Sequence, residues 1–287
     1  MSLTLDQIKK VGVIGAGTMG AGIAQLSAMA GYTTILYDLD QKVLDKAKTS
    51  IEKNLAKGIG KGKVTEEQKD LALKNLQLTT DNDELVCDFI IEAIVEKLDI
   101  KQQVFTQLEK INSPNTILAS NTSSIPITQI GATLTHPGRF VGMHFFNPAH
   151  IMKLVEVISG ASTNPIVAET TKKLAEQLGK VAVEAKDSPG FIVNRVARHF
   201  YVESLKVLEE GVADVATIDK LIESSGFKMG PFRLMDLIGV DTNFSVTTSM
   251  FNSFHQDSKF RPSRIQEQKV DAGHHGRKTG KGFYDYD

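Results

Sequence analysis

Three closely spaced glycines, Gly15-Ala-Gly17-Thr-Met-Gly20, stand between a β-branched run at residues 9–15 and an Ala/Met/Ile-rich run of helical length at residues 19–30. Gly31 supplies a stop for that helix, and Thr33-Thr-Ile-Leu-Tyr37 is a second strand-like run. Strand, helix and strand within roughly thirty residues make one βαβ unit, whose strands must lie parallel. The first two glycines permit a tight turn and close backbone approach, while the helix N-terminus offers N–H groups to a pyrophosphate. Asp38 ends the second strand, 18 residues after Gly20. A carboxylate there accepts both adenosine-ribose hydroxyls and repels a 2′-phosphate, so NAD is expected over NADP, with FAD as the competitor that shares the fingerprint.

Further strand-like runs fall at residues 76–80, 89–95, 116–120, 140–146, 153–158 and 181–185, and helical patterns at 97–111 and 165–178 lie among them. This alternation predicts an α/β fold, a Rossmann-type, doubly wound, mostly parallel sheet. After Lys186-Asp-Ser-Pro189 no β-branched run recurs, and Ile192, Val196, Phe200 and Val207 follow helical spacing. Ser188 and Pro189 read as a helix start and Gly211 as its stop, so residues 1–187 are expected to form the NAD-binding domain and 188–287 an all-helical second domain. A lysine-rich insert at about 41–76 reads as two helices joined by Lys57-Gly-Ile-Gly-Lys-Gly-Lys63.

Composition excludes several function classes. Lys plus Arg number 33 against 34 Asp plus Glu, leaving no excess of positive charge for nucleic-acid binding. The apolar runs are broken before the ~18–20 residues that a membrane span requires. Residues 1–10 lack the apolar core of a secretory leader, and Cys87 is the only cysteine, so a cytoplasmic location is expected.

In an open parallel sheet, ligands sit beyond the carboxyl ends of the strands. Three polar clusters fall there: Glu96 with Lys101, Asn121-Thr-Ser-Ser124, and His144-Phe-Phe-Asn147-Pro148. His144 lies in an apolar strand, a costly place for a group that titrates near neutrality unless it is hydrogen-bonded. Glu156 interrupts the aliphatic run Lys153-Leu-Val-Glu-Val-Ile158 and needs a donor just as much. If the two strands form a hairpin centred on residue 150, these side chains share one face with ~4.5–5.5 Å between β-carbons. The carboxylate would then hold one ring nitrogen protonated and make the other an oriented base. A metal site is not expected, because His144 has no ligand-spaced partner and His274-His275 lacks ligand spacing.

Other polar residues keep two readings. Ser123 and Ser124 are ligand donors or helix caps, and Asn194 bonds within an interface or faces a ligand. Glu96 is a ligand contact or a favourable acid at a helix start, with Lys101 as its solvent neighbour. The lysines of residues 57–63 form a solvated run or a docking point for a polyanionic nucleotide tail.

Taken in order, Gly15–Gly20, Asp38, Asn121–Ser124, His144–Pro148, Met152-Lys-Leu-Val-Glu156, Pro189-Gly-Phe-Ile-Val-Asn-Arg195, Met229-Gly-Pro-Phe232 and Lys278-Thr-Gly-Lys-Gly-Phe-Tyr284 resemble the L-3-hydroxyacyl-CoA dehydrogenase family, most of all its short bacterial 3-hydroxybutyryl-CoA members. The resemblance runs from about residue 9 to the C-terminus. It implies a His144–Glu156 catalytic pair, with Ser123 and Asn194 near the substrate oxygen. Beside the cofactor contacts already read at Gly15, Gly17, Gly20 and Asp38, it implies cofactor contacts from Glu96, Lys101 and Lys278, Asn147 near cofactor and histidine, and coenzyme A contacts from Asn54 and Lys61. The family's substrate cleft and homodimer contact map to the helical domain. The activity so implied is NAD-dependent interconversion of (S)-3-hydroxybutyryl-CoA, or another 3-hydroxyacyl-CoA, and its 3-keto product. The rivals are a dehydrogenase of a free hydroxy acid or sugar acid and a non-catalytic, crystallin-like NADH-binding protein.

Overall fold

The computed structural model describes residues 3–287; Met1 and Ser2, which open the segment read above for a leader, lie outside the described residues. Two compact units are present, one ending at Ser188 and the other spanning Pro189–Asp287. In chain order the first unit contains β1 (Lys10–Ile14), α1 (Thr18–Met29), β2 (Thr33–Tyr37), α2 (Gln41–Gly60), α3 (Glu66–Asn75), β3 (Leu76–Thr79), β4 (Phe89–Glu92), α4 (Leu98–Ile111), β5 (Ile117–Ser120), α5 (Ile127–Gly131), β6 (Phe140–Phe145), β7 (Leu154–Ser159), α6 (Pro165–Gln177) and β8 (Val181–Lys186). The strands make one sheet in the order β3-β2-β1-β4-β5-β6-β7-β8. Only β6 and β7 run antiparallel. The expected doubly wound, mostly parallel sheet is the one the chain adopts. Its order reverses at β1, which β2 and β4 flank, and that reversal opens the crevice in which such sheets bind ligands.

The period of two along each strand sorts the side chains into two faces. Val11 and Val13 of β1, Phe89 and Ile91 of β4, Val141 and Met143 of β6, and Val155 and Val157 of β7 join one buried cluster with Ile23, Ala24, Leu44, Ile51, Val167 and Leu174 from α1, α2 and α6. The alternate residues meet α4 and α5. Phe140 packs edge-on against Phe105 at 4.7 Å between ring centroids, a contact worth ~0.5–1.5 kcal/mol beyond area burial. A β-carbon on Gly142 would stand 2.7 Å from the Ile127 side chain, so only glycine lets α5 lie this close to β6. By the same alternation Glu92, Ser120, His144 and Glu156 all point to the α4/α5 side.

Some boundaries differ from the sequence reading. The strand expected to reach residue 95 stops at Glu92, because the Glu92 carboxylate turns back to accept the Ile94 N–H at 2.8 Å. Helix α2 runs through Lys57-Gly-Ile to Gly60, so the lysine-glycine segment is half helix; Gly58 admits Val64, whose side chain would lie 2.6 Å from a β-carbon there.

The second unit contains α7 (Val193–Glu209), α8 (Val215–Ser224), α9 (Pro231–Ile238), α10 (Val240–Ser253) and α11 (Arg264–Asp271). Pro189 does not start the first of these. Gly190 at φ 73° and Phe191 at φ 49° are left-handed, which no helix tolerates, and α7 begins only at Val193. Gly211, at φ 69°, follows its end as expected. Tyr201, Leu205, Ile218, Phe232 and Met235 form the core. Asp219 accepts the Phe232 and Arg233 N–H groups at the start of α9, at 2.9 and 3.0 Å. Asp236 accepts those of Phe283 and Tyr284, at 2.8 and 2.9 Å, and so fastens the Lys278–Tyr284 segment onto α9. Among the described residues no helix is long and apolar enough to cross a membrane, and no group of three or more His, Cys, Asp and Glu side chains is placed to hold a metal ion.

Candidate active site

The glycine turn is built against β1. A β-carbon on Gly20 would fall 1.7 Å from the Gly15 carbonyl oxygen, so α1 can sit on the strand end only with glycine there. Gly15 takes φ 92°, and a β-carbon on it would meet the Ala93 carbonyl oxygen at 2.7 Å. At Gly17 the demand differs: a β-carbon would meet nothing within 4 Å. Gly17 is the N-cap of α1, and no side chain caps that end, so the first-turn N–H groups face an open cradle suited to a pyrophosphate. Asp38, at the end of β2, accepts the Ala16 N–H at 2.8 Å and is thereby pinned beside the cradle, with further acceptor capacity for a ribose diol. The cradle and its acid fit an adenine dinucleotide.

At the end of β4, the strand beside β1, lies a charge network in which Glu92 and Lys101 are buried and Glu96 is 36% exposed. Lys101 is 1% exposed, and its ammonium meets Glu92 at 2.6 Å and Glu96 at 3.1 Å. The reading of Lys101 as a solvent neighbour of Glu96 is therefore overturned, since a lysine so enclosed must be paired. Glu96 precedes α4 rather than lying in its first turn. It accepts from the Thr122 hydroxyl at 2.6 Å and from the Ser123 and Ser124 N–H groups at 3.0 and 3.2 Å. Burial pushes its carboxyl up, but the Lys101 charge, the Thr122 hydroxyl and the Ser123 N–H outweigh burial and hold it below the usual value. Glu92 also accepts from the Ser120 hydroxyl at 2.6 Å. Lys101 thus ties two carboxylates together, and these hold the 120–124 loop that carries Ser123. Glu92 was missed in the sequence, although its signal, an acid in an apolar strand, is the one that exposed Glu156.

The hairpin holds a buried histidine–carboxylate pair. In the β6–β7 ladder His144 lies directly opposite Glu156, and Nδ1 stands 2.8 Å from the carboxylate Oε2. They are 5% and 1% exposed. With Glu156 ionised the carboxylate can only accept, which places the proton on Nδ1 and leaves the ring's lone pair on Nε2. The Phe146 ring flanks the imidazole at 4.5 Å between centroids. Asn121, after β5, accepts the Phe145 N–H at 2.8 Å, which fixes the backbone just beyond His144 to the serine-bearing loop. Asn147 is exposed in the turn that follows.

The remaining expected residues lie on other elements of the chain. Asn54 lies within α2, and Lys61 is its C-cap. Asn194 is partly buried in the first turn of α7. In the second unit Lys278 pairs with Asp241 at 2.7 Å.

A glycine cradle, an acid beside it and a histidine–carboxylate pair on one mostly parallel sheet are the parts from which dinucleotide-dependent dehydrogenases are built. The 3-hydroxyacyl-CoA dehydrogenase NAD binding domain model matches residues 10–188, and the 3-hydroxyacyl-CoA dehydrogenase C-terminal domain model matches residues 190–286. The chain belongs to the 3-hydroxyacyl-CoA dehydrogenase family. The 3-hydroxyadipyl-CoA dehydrogenase of Escherichia coli (strain K12) is 46% identical over 97% of this chain, and the chain spans 59% of that relative's length. A probable 3-hydroxybutyryl-CoA dehydrogenase of Deinococcus radiodurans is 43% identical over 96% of this chain and all (100%) of its own. The crystal structure of (S)-3-hydroxybutyryl-CoA dehydrogenase PaaH1 from Ralstonia eutropha superimposes with a TM-score of 0.94 at 40% identity, covering 98% of this chain and 100% of that one.

Two predictions follow from the packing. Gly20→Ala should cost about 3 kcal/mol of stability, the upper range for overpacking, and lower the melting temperature, whereas Gly17→Ala should melt within a few degrees of the parent yet lose NADH binding in a fluorescence titration. Lys101→Met should destabilise by about 3–5 kcal/mol in urea unfolding, because it leaves the buried Glu92 carboxylate without its counter-ion; adding Glu92→Gln should restore part of the loss.

Proposed function

We propose that the chain interconverts (S)-3-hydroxyacyl-CoA and 3-ketoacyl-CoA with NAD, the four-carbon pair (S)-3-hydroxybutyryl-CoA and acetoacetyl-CoA being the substrate and product. The observation that carries this reading is the 2.8 Å contact of His144 Nδ1 with Glu156 on the sheet that bears the glycine cradle. Gly15, Gly17, Gly20 and Asp38 would hold the cofactor by its pyrophosphate and adenosine ribose. Bound NAD supplies the hydride acceptor.

The chain's own groups do the rest. His144 Nε2 takes the proton of the C3 hydroxyl as the C3 hydrogen leaves with its electron pair, and the imidazolium returns a proton in reduction. Glu156 stabilises the charge that appears on the ring and prevents the imidazole from turning to the wrong tautomer. Ser123 and Asn194 donate to the substrate oxygen, and these bonds strengthen as it gains alkoxide character, lowering the barrier selectively. Glu96, Lys101, Asn147 and Lys278 belong to the cofactor side of the same proposal. The burial of Lys101 supports an indirect role for it, as the tether of Glu96. Asn54 and Lys61 receive the coenzyme A moiety.

We also assign a homodimer through the helical unit, where Val196, Leu221 and Phe227 are 68%, 63% and 54% exposed. A cytoplasmic site of action accords with Cys87 being buried as a free thiol.

NADH oxidation with acetoacetyl-CoA tests the reading. Turnover is expected with the CoA ester and NADH, with little from NADPH or free acetoacetate; turnover of free hydroxy acids alone would replace it. His144→Gln should lower kcat by roughly 10²–10⁴-fold with NADH affinity retained, and Glu156→Gln should lose rate and alter the pH–rate profile.

A further inference from the structure

The loop between β6 and β7, residues 146–153, contains the expected cofactor contact Asn147 and joins the strand of His144 to the strand of Glu156. Its backbone is short of strand partners, and an outside donor closes it. Lys180, in the turn between α6 and β8, sends its ammonium to the Ala149 carbonyl oxygen at 2.6 Å and to the Met152 carbonyl oxygen at 2.8 Å. Lys180 is 8% exposed. Both of its described acceptors are neutral carbonyls, and an ammonium held that way is costly compared with one paired to an acid. Burial pulls it from its ordinary value to about 8, so near neutrality the fold keeps a proton there at some expense. A stem that merely filled space would not need that charge.

The loop is fastened on its other side too. The Ile151 and Met152 N–H groups both donate to the Pro148 carbonyl oxygen, at 3.0 and 2.9 Å, curling the chain into one turn. That turn lies on α1, where a β-carbon on Gly22 would meet the Ala149 β-carbon at 3.1 Å. Val181, next in sequence, donates its N–H to the Lys153 carbonyl oxygen at 2.7 Å, so β8 enters the sheet at the same point. Lys180 therefore braces the β6–β7 loop to the start of β8, and the loop so braced packs on the helix whose N-terminus forms the glycine cradle.

We propose that Lys180 is a positioning residue: by clamping the Ala149 and Met152 carbonyls it fixes the β6–β7 turn, and with it the placement of His144 relative to the cofactor cradle. The proposal rests on the dehydrogenase reading for its kinetic consequence but not for its structural one. Misplacement of a reacting group by a fraction of an ångström reaches the rate of the chemical step before it reaches binding.

The test compares the whole parent protein with Lys180→Met, which keeps the length of the stem and removes the donors, and with Lys180→Arg, which restores a cation and donors. For Lys180→Met, kcat for acetoacetyl-CoA reduction should fall about 10–100-fold, while KM for acetoacetyl-CoA and the dissociation constant for NADH stay within about threefold. Lys180→Arg should recover at least part of the lost kcat. Amide hydrogen exchange should rise in peptides spanning 146–153 and stay at the parent level in β1, β4 and β5. Unchanged kcat in Lys180→Met, equal loss in both variants, or faster exchange throughout the sheet would overturn the proposal. Should Lys180→Met not fold, the parent and Lys180→Arg decide the matter by the same exchange comparison, and matching protection of 146–153 is then required. If even the parent fails to reduce acetoacetyl-CoA, the substrate assignment falls while the exchange pattern still judges the clamp.

Discussion

The chemistry proposed for this chain depends on one hydrogen bond across one antiparallel strand pair, His144 Nδ1 to Glu156 Oε2. Neither residue could be buried alone. A carboxylate in an apolar ladder costs several kcal/mol unless a donor reaches it, and an imidazole there needs an acceptor. The register satisfies both at once, and a slip of one residue would turn the two groups to opposite faces of the sheet. Position and proton placement are therefore linked: the pairing that makes the burial tolerable also favours the tautomer that leaves the lone pair on Nε2.

Around that pair the sheet works as a frame with braces. Alternate residues of β1, β4, β6 and β7 pack against α1, α2 and α6, and the intervening ones face α4 and α5, so the polar groups at the carboxyl ends of the strands are held by a core on each side. The Glu92–Lys101–Glu96 chain fixes the serine loop after β5, Asn121 links that loop to the strand of His144, and Lys180 holds the turn beyond it. Glu92, Lys101 and Lys180 are buried polar groups with their partners supplied, the arrangement that yields rigidity in place of an unsatisfied charge.

Much of this was legible in the sequence, and what was not had identifiable physical causes. β-Branched runs bounded by glycine located the strands, since a parallel strand buried on both faces must be nearly all apolar. His144 and Glu156 could be matched because both break apolar runs at equal distances from residue 150. Glu92 and Lys101 are separated by the β4–α4 connection and belong to different kinds of element, so no periodicity links them; Lys101 looked solvated because its burial is decided by tertiary packing. The late start of α7 was hidden because Pro189 is a good first residue of a helix in isolation, while the left-handed Gly190 and Phe191 are set by tertiary structure. Lys180 follows a glycine at a helix end, where a lysine is ordinarily a solvent-exposed neighbour of the helix dipole, and nothing local announces that it closes a turn some thirty residues earlier.

The most direct measurement is the protonation pattern of His144 itself, read by nitrogen-15 NMR of histidine-labelled protein at a pH where the ring is neutral, with His144→Gln used to assign the signal. The account predicts the proton on Nδ1 and a bare Nε2, with that preference lost in Glu156→Gln. A neutral ring carrying its proton on Nε2 in the parent protein would contradict it.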